Sequence, residues 1–82
     1  MAGKMIPEEL GKIVFFHRRK SGLTQKQLAE LAGVGKTVVF DIEKGKPTVQ
    51  MNSLLKVLAV LNITVELTSP LMKQMEDRKS VV

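Results

Sequence analysis

The stretch that most constrains this chain runs from Thr24 to Gly45, a run of 22 residues counted from the sequence. It predicts two short helices joined by a glycine turn. Thr24 offers its hydroxyl to a free first-turn amide, and the helix it opens carries Leu28, Ala29, Leu31 and Ala32 on one side. Lys26, Gln27 and Glu30 fall on the other. Gly33 follows the last apolar residue, where a helix end favours a residue tolerant of positive φ, and Val34 fills the corner before a second helix starts near Gly35. At about 100° per residue, Val38, Val39 and Ile42 gather on one face of that second helix. Lys36, Thr37, Phe40, Asp41 and Lys44 gather on the opposite face.

Two helices, a tight turn and a polar outward face on the second make the helix-turn-helix pattern, whose second helix can enter a DNA major groove. An ordinary helical hairpin satisfies the same spacing. The net charge of +5 and sequence pI near 9.8 favour a polyanionic partner. With 82 residues the chain holds one domain. The lack of cysteine excludes a disulfide framework and a thiolate metal site, and with no signal-peptide pattern a reducing cytoplasm is expected. No apolar run approaches the roughly 20 residues that span a bilayer, so no membrane partner is expected.

Ahead of the helix pair, Pro7 with Glu8 and Glu9 reads as a first helical turn, because proline fits the first position and carboxylates favour the positive dipole end. This helix should run to about Lys20, with Leu10, Ile13, Val14 and His17 facing inward. Arg18, Arg19 and Lys20 sit at its C-terminus, where either the dipole or phosphate contact accounts for them. His17 has no companion ligands at metal spacing and reads as a packed, hydrogen-bonded side chain, so no metal or cofactor is expected. Of the two adjacent phenylalanines, Phe16 is expected to bend into the core and Phe15 to mark a contact surface for a partner.

After Gly45, the turn Lys46-Pro47-Thr48 leads to a helix from Val49 or Met51 to Leu61, apolar on nearly every side. A helix of that kind is buried on nearly every side, and in so short a chain a second subunit is the simplest cover. From Ile63 to Thr68 the period changes from 3.6 to 2. A lone strand is unstable, so it is expected to pair with its copy in a second subunit about a two-fold axis. The expected dimer interface is Leu58, Leu61, Ile63, Val65 and Leu67. Residues 1–69 then form the domain, and 70–82 a polar, mobile tail.

Leu23-Thr24-Gln25, Leu28-Ala29, Gly33-Val34, Ile42-Glu43, Lys44-Gly45-Lys46 and Leu54-Leu55-Lys56-Val57-Leu58 together resemble the lambda-repressor-like helix-turn-helix family of Cro and repressor proteins. Four helices followed by one strand resemble the HipB-like antitoxins within it. The fold class expected is therefore mainly α: a four-helix lambda-repressor-like DNA-binding domain plus one C-terminal β-strand pairing with its dimer mate. The resemblance implies a homodimer that binds palindromic operators in its own promoter and holds a HipA-like kinase toxin inactive. It also implies that Gln25 touches phosphate and braces the recognition helix, while Lys36, Thr37, Phe40 and Asp41 face the bases. Arg18, Lys26, Lys36, Lys44 and Lys46 join Gln25 as phosphate candidates.

Three positions depart from the family pattern. Gly35 replaces a Ser or Thr cap. Phe40 replaces a small or polar residue, leaving contact with a thymine methyl as its role, and Asp41 is acidic, fit to accept from a cytosine amino group or to reject wrong sites. Two other readings stay open: a stand-alone phage-type repressor, and a protein-interaction module without DNA binding. An enzyme is not expected, since no catalytic constellation or phosphate-cradling loop is present, and Glu43 reads as a bonded structural carboxylate.

Overall fold

The computed structural model describes residues 6–66 and 69–71. Among them the chain forms four helices: α1 (Pro7–Lys20), α2 (Gln25–Ala32), α3 (Lys36–Lys44) and α4 (Met51–Val60). Each boundary has a local cause. Ile6 is extended ahead of Pro7, Glu8 and Glu9 occupy the first turn of α1, and His17 to Lys20 occupy its last. Thr24 caps α2 reciprocally: its hydroxyl accepts from the Gln27 amide at 3.0 Å, and the Gln27 side chain accepts from the Thr24 amide at 2.9 Å. Gly33 and Gly45, at φ 73° and 80°, close α2 and α3 in the left-handed region that disfavours any residue with a Cβ. Asn62, at φ 61°, performs the same turn after α4, and the Ile63 amide then reaches the Leu58 carbonyl at 2.9 Å. At the start of α3, Gly35 supplies no side-chain cap.

α3 lies at the centre and packs against α1, α2 and α4, while α2 also packs on α4. The core is Val14, Leu28, Ala29, Val39, Ile42, Leu54, Val57, Leu58 and Leu61. Burying a side chain such as Leu28 or Leu58 contributes about 1.5–3 kcal/mol.

Four of the sequence expectations are corrected here. The inward stripe of α1 is rotated: Val14 is fully buried and Gly11 and Arg18 join it, whereas Ile13 is exposed and His17 half-buried. The cause is close helix approach, since a Cβ on Gly11 would lie 2.6 Å from the Ile42 carbonyl oxygen. Phe16 is the more exposed of the two phenylalanines, at 56% against 45% for Phe15, because it stands opposite Val14 and Arg18 on the helix. Leu31 is exposed as well, lying about 107° from the centre of the Leu28, Ala29 and Ala32 stripe.

The fourth correction concerns the presumed dimer contacts. Leu58 and Leu61 are buried in the chain's own core, and the uncovered apolar side of α4 is formed by Met51, Leu55 and Ala59, one turn apart. Ile63 packs against the core and Val65 is exposed. Residues 63–66 have no regular secondary structure in the single chain. Leu67 and Thr68, the end of the expected strand, lie outside the described residues, as do 72–82 of the expected tail.

Candidate nucleic-acid interface

The outward face of α3 and the N-terminus of α2 lie side by side and meet at the Glu43 carboxylate, which an ion pair also ties to α1. Arg18 donates from Nε to Glu43 Oε2 at 2.6 Å and from Nη2 to Oε1 at 3.1 Å. Its Nη1 donates to the Leu23 carbonyl at 2.9 Å. Gln25 Nε2 donates to the same Glu43 Oε1 at 3.0 Å. The Arg18 and Glu43 side chains are only 9% and 6% exposed. One carboxylate thus gathers donors from α1 and α2 and fixes the roll of α3, a two-pronged geometry that ammonium groups do not offer.

Beside this junction is an open cleft of about 550 Å³ lined by Arg18, Arg19, Gly22, Leu23, Thr24, Gln25, Lys26 and Lys36. Arg19, Lys26 and Lys36 are exposed, and the positive end of α2 opens among them. An oxyanion fits there by charge.

On α3 itself, Lys36 and Thr37 are exposed in the first turn, and Phe40 is 46% exposed one turn later. Lys44 lies with Nζ 5.5 Å from the centre of the Phe40 ring, a cation–π distance. Asp41 turns its carboxylate towards Lys46, 3.6 Å from Nζ, and is half-buried.

Residues 17–67 match the helix-turn-helix family. The chain belongs to that family. It is 38% identical over 64 residues to the uncharacterized HTH-type transcriptional regulator y4mF of Sinorhizobium fredii, covering 78% of this chain and 84% of that protein. It is also 42% identical over 50 residues to an uncharacterized HTH-type regulator of Haemophilus influenzae, covering 61% of this chain and 51% of that protein. Among solved structures, a chain of the HipA–HipB–O2–O3 complex superposes with a TM-score of 0.75 at 20% identity, over 85% of this chain and 99% of that one. A HipB–O4 20mer complex gives 0.74 at 20% identity, with the same coverage. The helix-turn-helix regulator accordingly shares its fold with HipB, and its relatives are regulators, not enzymes.

Within this helix-turn-helix regulator, Lys36, Thr37, Phe40, Lys26, Lys44 and Lys46 all reach solvent. Arg18 departs from the surface expected of a phosphate contact, being 8% exposed with its donors directed inward. Arg19, which lines the same cleft, is the guanidinium that reaches solvent there. The helical wheel carried the signal, because Arg18 follows Val14 by four residues and Gly11 by seven. Phe15 sits beside the ion pair, its ring 5.3 Å from the Arg18 guanidinium carbon. It shares a shallow groove with Gln25, Phe40, Glu43 and Lys44.

His17 is bonded, with Nδ1 2.8 Å from the Ile13 carbonyl oxygen. Among the described residues no group of three His, Cys, Asp or Glu could hold a metal, and no helix is long and apolar enough to cross a membrane.

Proposed function

We propose that this helix-turn-helix regulator is a homodimeric, sequence-specific DNA-binding repressor that acts as the antitoxin of a HipBA-like system, repressing its own operon and holding a HipA-like kinase inactive. The observation that carries the DNA reading is the outward face of α3, set next to the basic cleft at the start of α2 and fixed there by the Arg18–Glu43–Gln25 junction. Two such faces, related by a two-fold axis, would enter successive major grooves about 34 Å apart on a palindromic operator. Lys36, Thr37 and Phe40 meet the bases, and Arg19, Gln25, Lys26, Lys44 and Lys46 meet the phosphates. Asp41 acts through Lys46, whose ammonium it holds 3.6 Å away at the end of α3.

The second copy covers Met51, Leu55, Ala59 and Val65, and the alternating segment from Ile63 to Thr68 pairs with its mate. The antitoxin role draws on the shared fold with a chain of the HipA–HipB–O2–O3 complex. A stand-alone repressor is the second reading, since the sequence relatives are described only as HTH-type transcriptional regulators.

Titration of the purified chain with its own promoter fragment tests the first part. With several phosphates neutralised per dimer, the apparent affinity should fall steeply between roughly 50 and 200 mM salt. A flat dependence would refute the electrostatic mode. Co-expression with the product of the neighbouring gene separates antitoxin from stand-alone repressor: co-purification with a HipA-like kinase supports the former, and a chain that represses but associates with no kinase is the latter.

A further inference from the structure

From its middle to its last turn the recognition helix carries three outward side chains, Phe40, Asp41 and Lys44, with different liberties. Asp41, the one strong acceptor there, is held 3.6 Å from Lys46 Nζ and its side chain is 25% exposed. Lys44 is folded back over the Phe40 ring at 5.5 Å. The ring itself stays out of the core at 46% exposure. It shares its groove with Phe15, Gln25, Glu43 and Lys44. The group best free to meet a base one turn into α3 is therefore a hydrocarbon with no hydrogen-bonding capacity.

The major groove presents one methyl group, the C5-methyl of thymine; cytosine offers only a C5–H at the same place, and the remaining base-edge groups are hydrogen-bond donors or acceptors. A phenyl ring over an acceptor or donor would strip it of water without replacing the bond, which is unfavourable. Building on the DNA-binding reading above, we infer that Phe40 reads a pyrimidine C5-methyl group, so that each half-site has one step where thymine and 5-methylcytosine are accepted and uracil and unmethylated cytosine are disfavoured. Where an operator carries cytosine at that step, the contact makes binding responsive to its C5 methylation. Lys44 has a double part in it, holding the ring by a cation–π contact while its charge stays available to phosphate.

The test begins with duplexes selected from a random library by the full chain. In the best palindromic duplex, each thymine is replaced by deoxyuridine, symmetrically in both half-sites, and affinity is read by fluorescence anisotropy at one salt concentration. One step should lose roughly fourfold per methyl, or about fifteenfold for the symmetric pair, as expected for removing a buried methyl from each half-site. At that step, 5-methylcytosine should bind tighter than cytosine by a similar factor.

Phe40→Ala should abolish both effects, and Phe40→Leu, which keeps an apolar contact, should retain them. Circular dichroism checks that both variants remain folded. Indifference to uracil at every step, or full methyl dependence in Phe40→Ala, overturns the inference while leaving DNA binding intact. Enrichment of no duplex, together with a flat salt dependence, overturns the DNA-binding reading and this inference with it.

Discussion

Removing either partner of the Arg18–Glu43 pair should harm this protein more than removing both. The pair is nearly dry, at 9% and 6% side-chain exposure, and bidentate at 2.6 and 3.1 Å. In Arg18→Met, the Glu43 carboxylate keeps only the Gln25 amide as a donor, and the Leu23 carbonyl loses its own. Breaking a buried pair in this way costs about 3–5 kcal/mol. Domains of this kind are stable by only about 5–15 kcal/mol. Glu43→Leu leaves the guanidinium buried beside no carboxylate and should cost a similar amount.

The double variant Arg18→Met/Glu43→Leu replaces two charges with two apolar side chains of comparable volume, an exchange that is often near neutral. The orphaned Leu23 carbonyl and Gln25 amide add about 1–3 kcal/mol each where water does not reach them, and half-buried Gln25 can turn to solvent. The double variant should therefore be more stable than either single variant, with a coupling energy of about 3 kcal/mol or more. Urea unfolding of all four proteins measures this, with the slope against urea checked for constancy. Additivity within about 0.5 kcal/mol would refute the reasoning. The double variant should also bind DNA more weakly than the native chain, because α3 has lost the tie that sets its roll.

Gly11→Ala should lower the melting temperature although alanine is the better helix former by about 1 kcal/mol. Its Cβ would meet backbone oxygens of Ile42 and Glu43 at 2.6 and 2.8 Å, and overpacking of that kind costs about 1–3 kcal/mol or more; a raised melting temperature would refute the close approach. Leu55→Asp should give a folded monomer in sedimentation, since Leu55 is 48% exposed in the single chain. Leu58→Ala should instead lose about 2–5 kcal/mol of stability, and a dimer that survives Leu55→Asp would place the interface elsewhere. Lys36→Ala and Thr37→Ala should each cost roughly 1–3 kcal/mol at the operator and little on random DNA in competition gel shifts. Equal losses on both DNAs would make them phosphate contacts.

The local parts of this molecule are written in the chain. Pro7, the Thr24 cap, Gly33 and Gly45 set helix ends through short-range sterics and first-turn amides, and the periodicity of Leu28, Ala29, Val39 and Ile42 fixes which faces turn inward. The outward set Lys36, Thr37, Phe40 and Lys44 follows from the same geometry. What the sequence could not assign depends on which two surfaces meet. α4 is apolar nearly all round, so the pattern alone could not tell that Leu58 and Leu61 serve the core while Met51 and Leu55 stay uncovered. On α1 the apolar pattern pointed to Leu10, Ile13, Val14 and His17, and the contact of Gly11 with the end of α3 rotated the helix to bury Gly11, Val14 and Arg18 instead. That choice put Arg18 against Glu43, 25 residues away, and left Arg19 at the cleft. Local hydrogen bonding and helical period decide the elements and the faces of α2 and α3 in outline. The buried faces of α1 and α4 and the partner of a buried charge are decided only when the helices pack, because desolvation belongs to the contact and not to either residue.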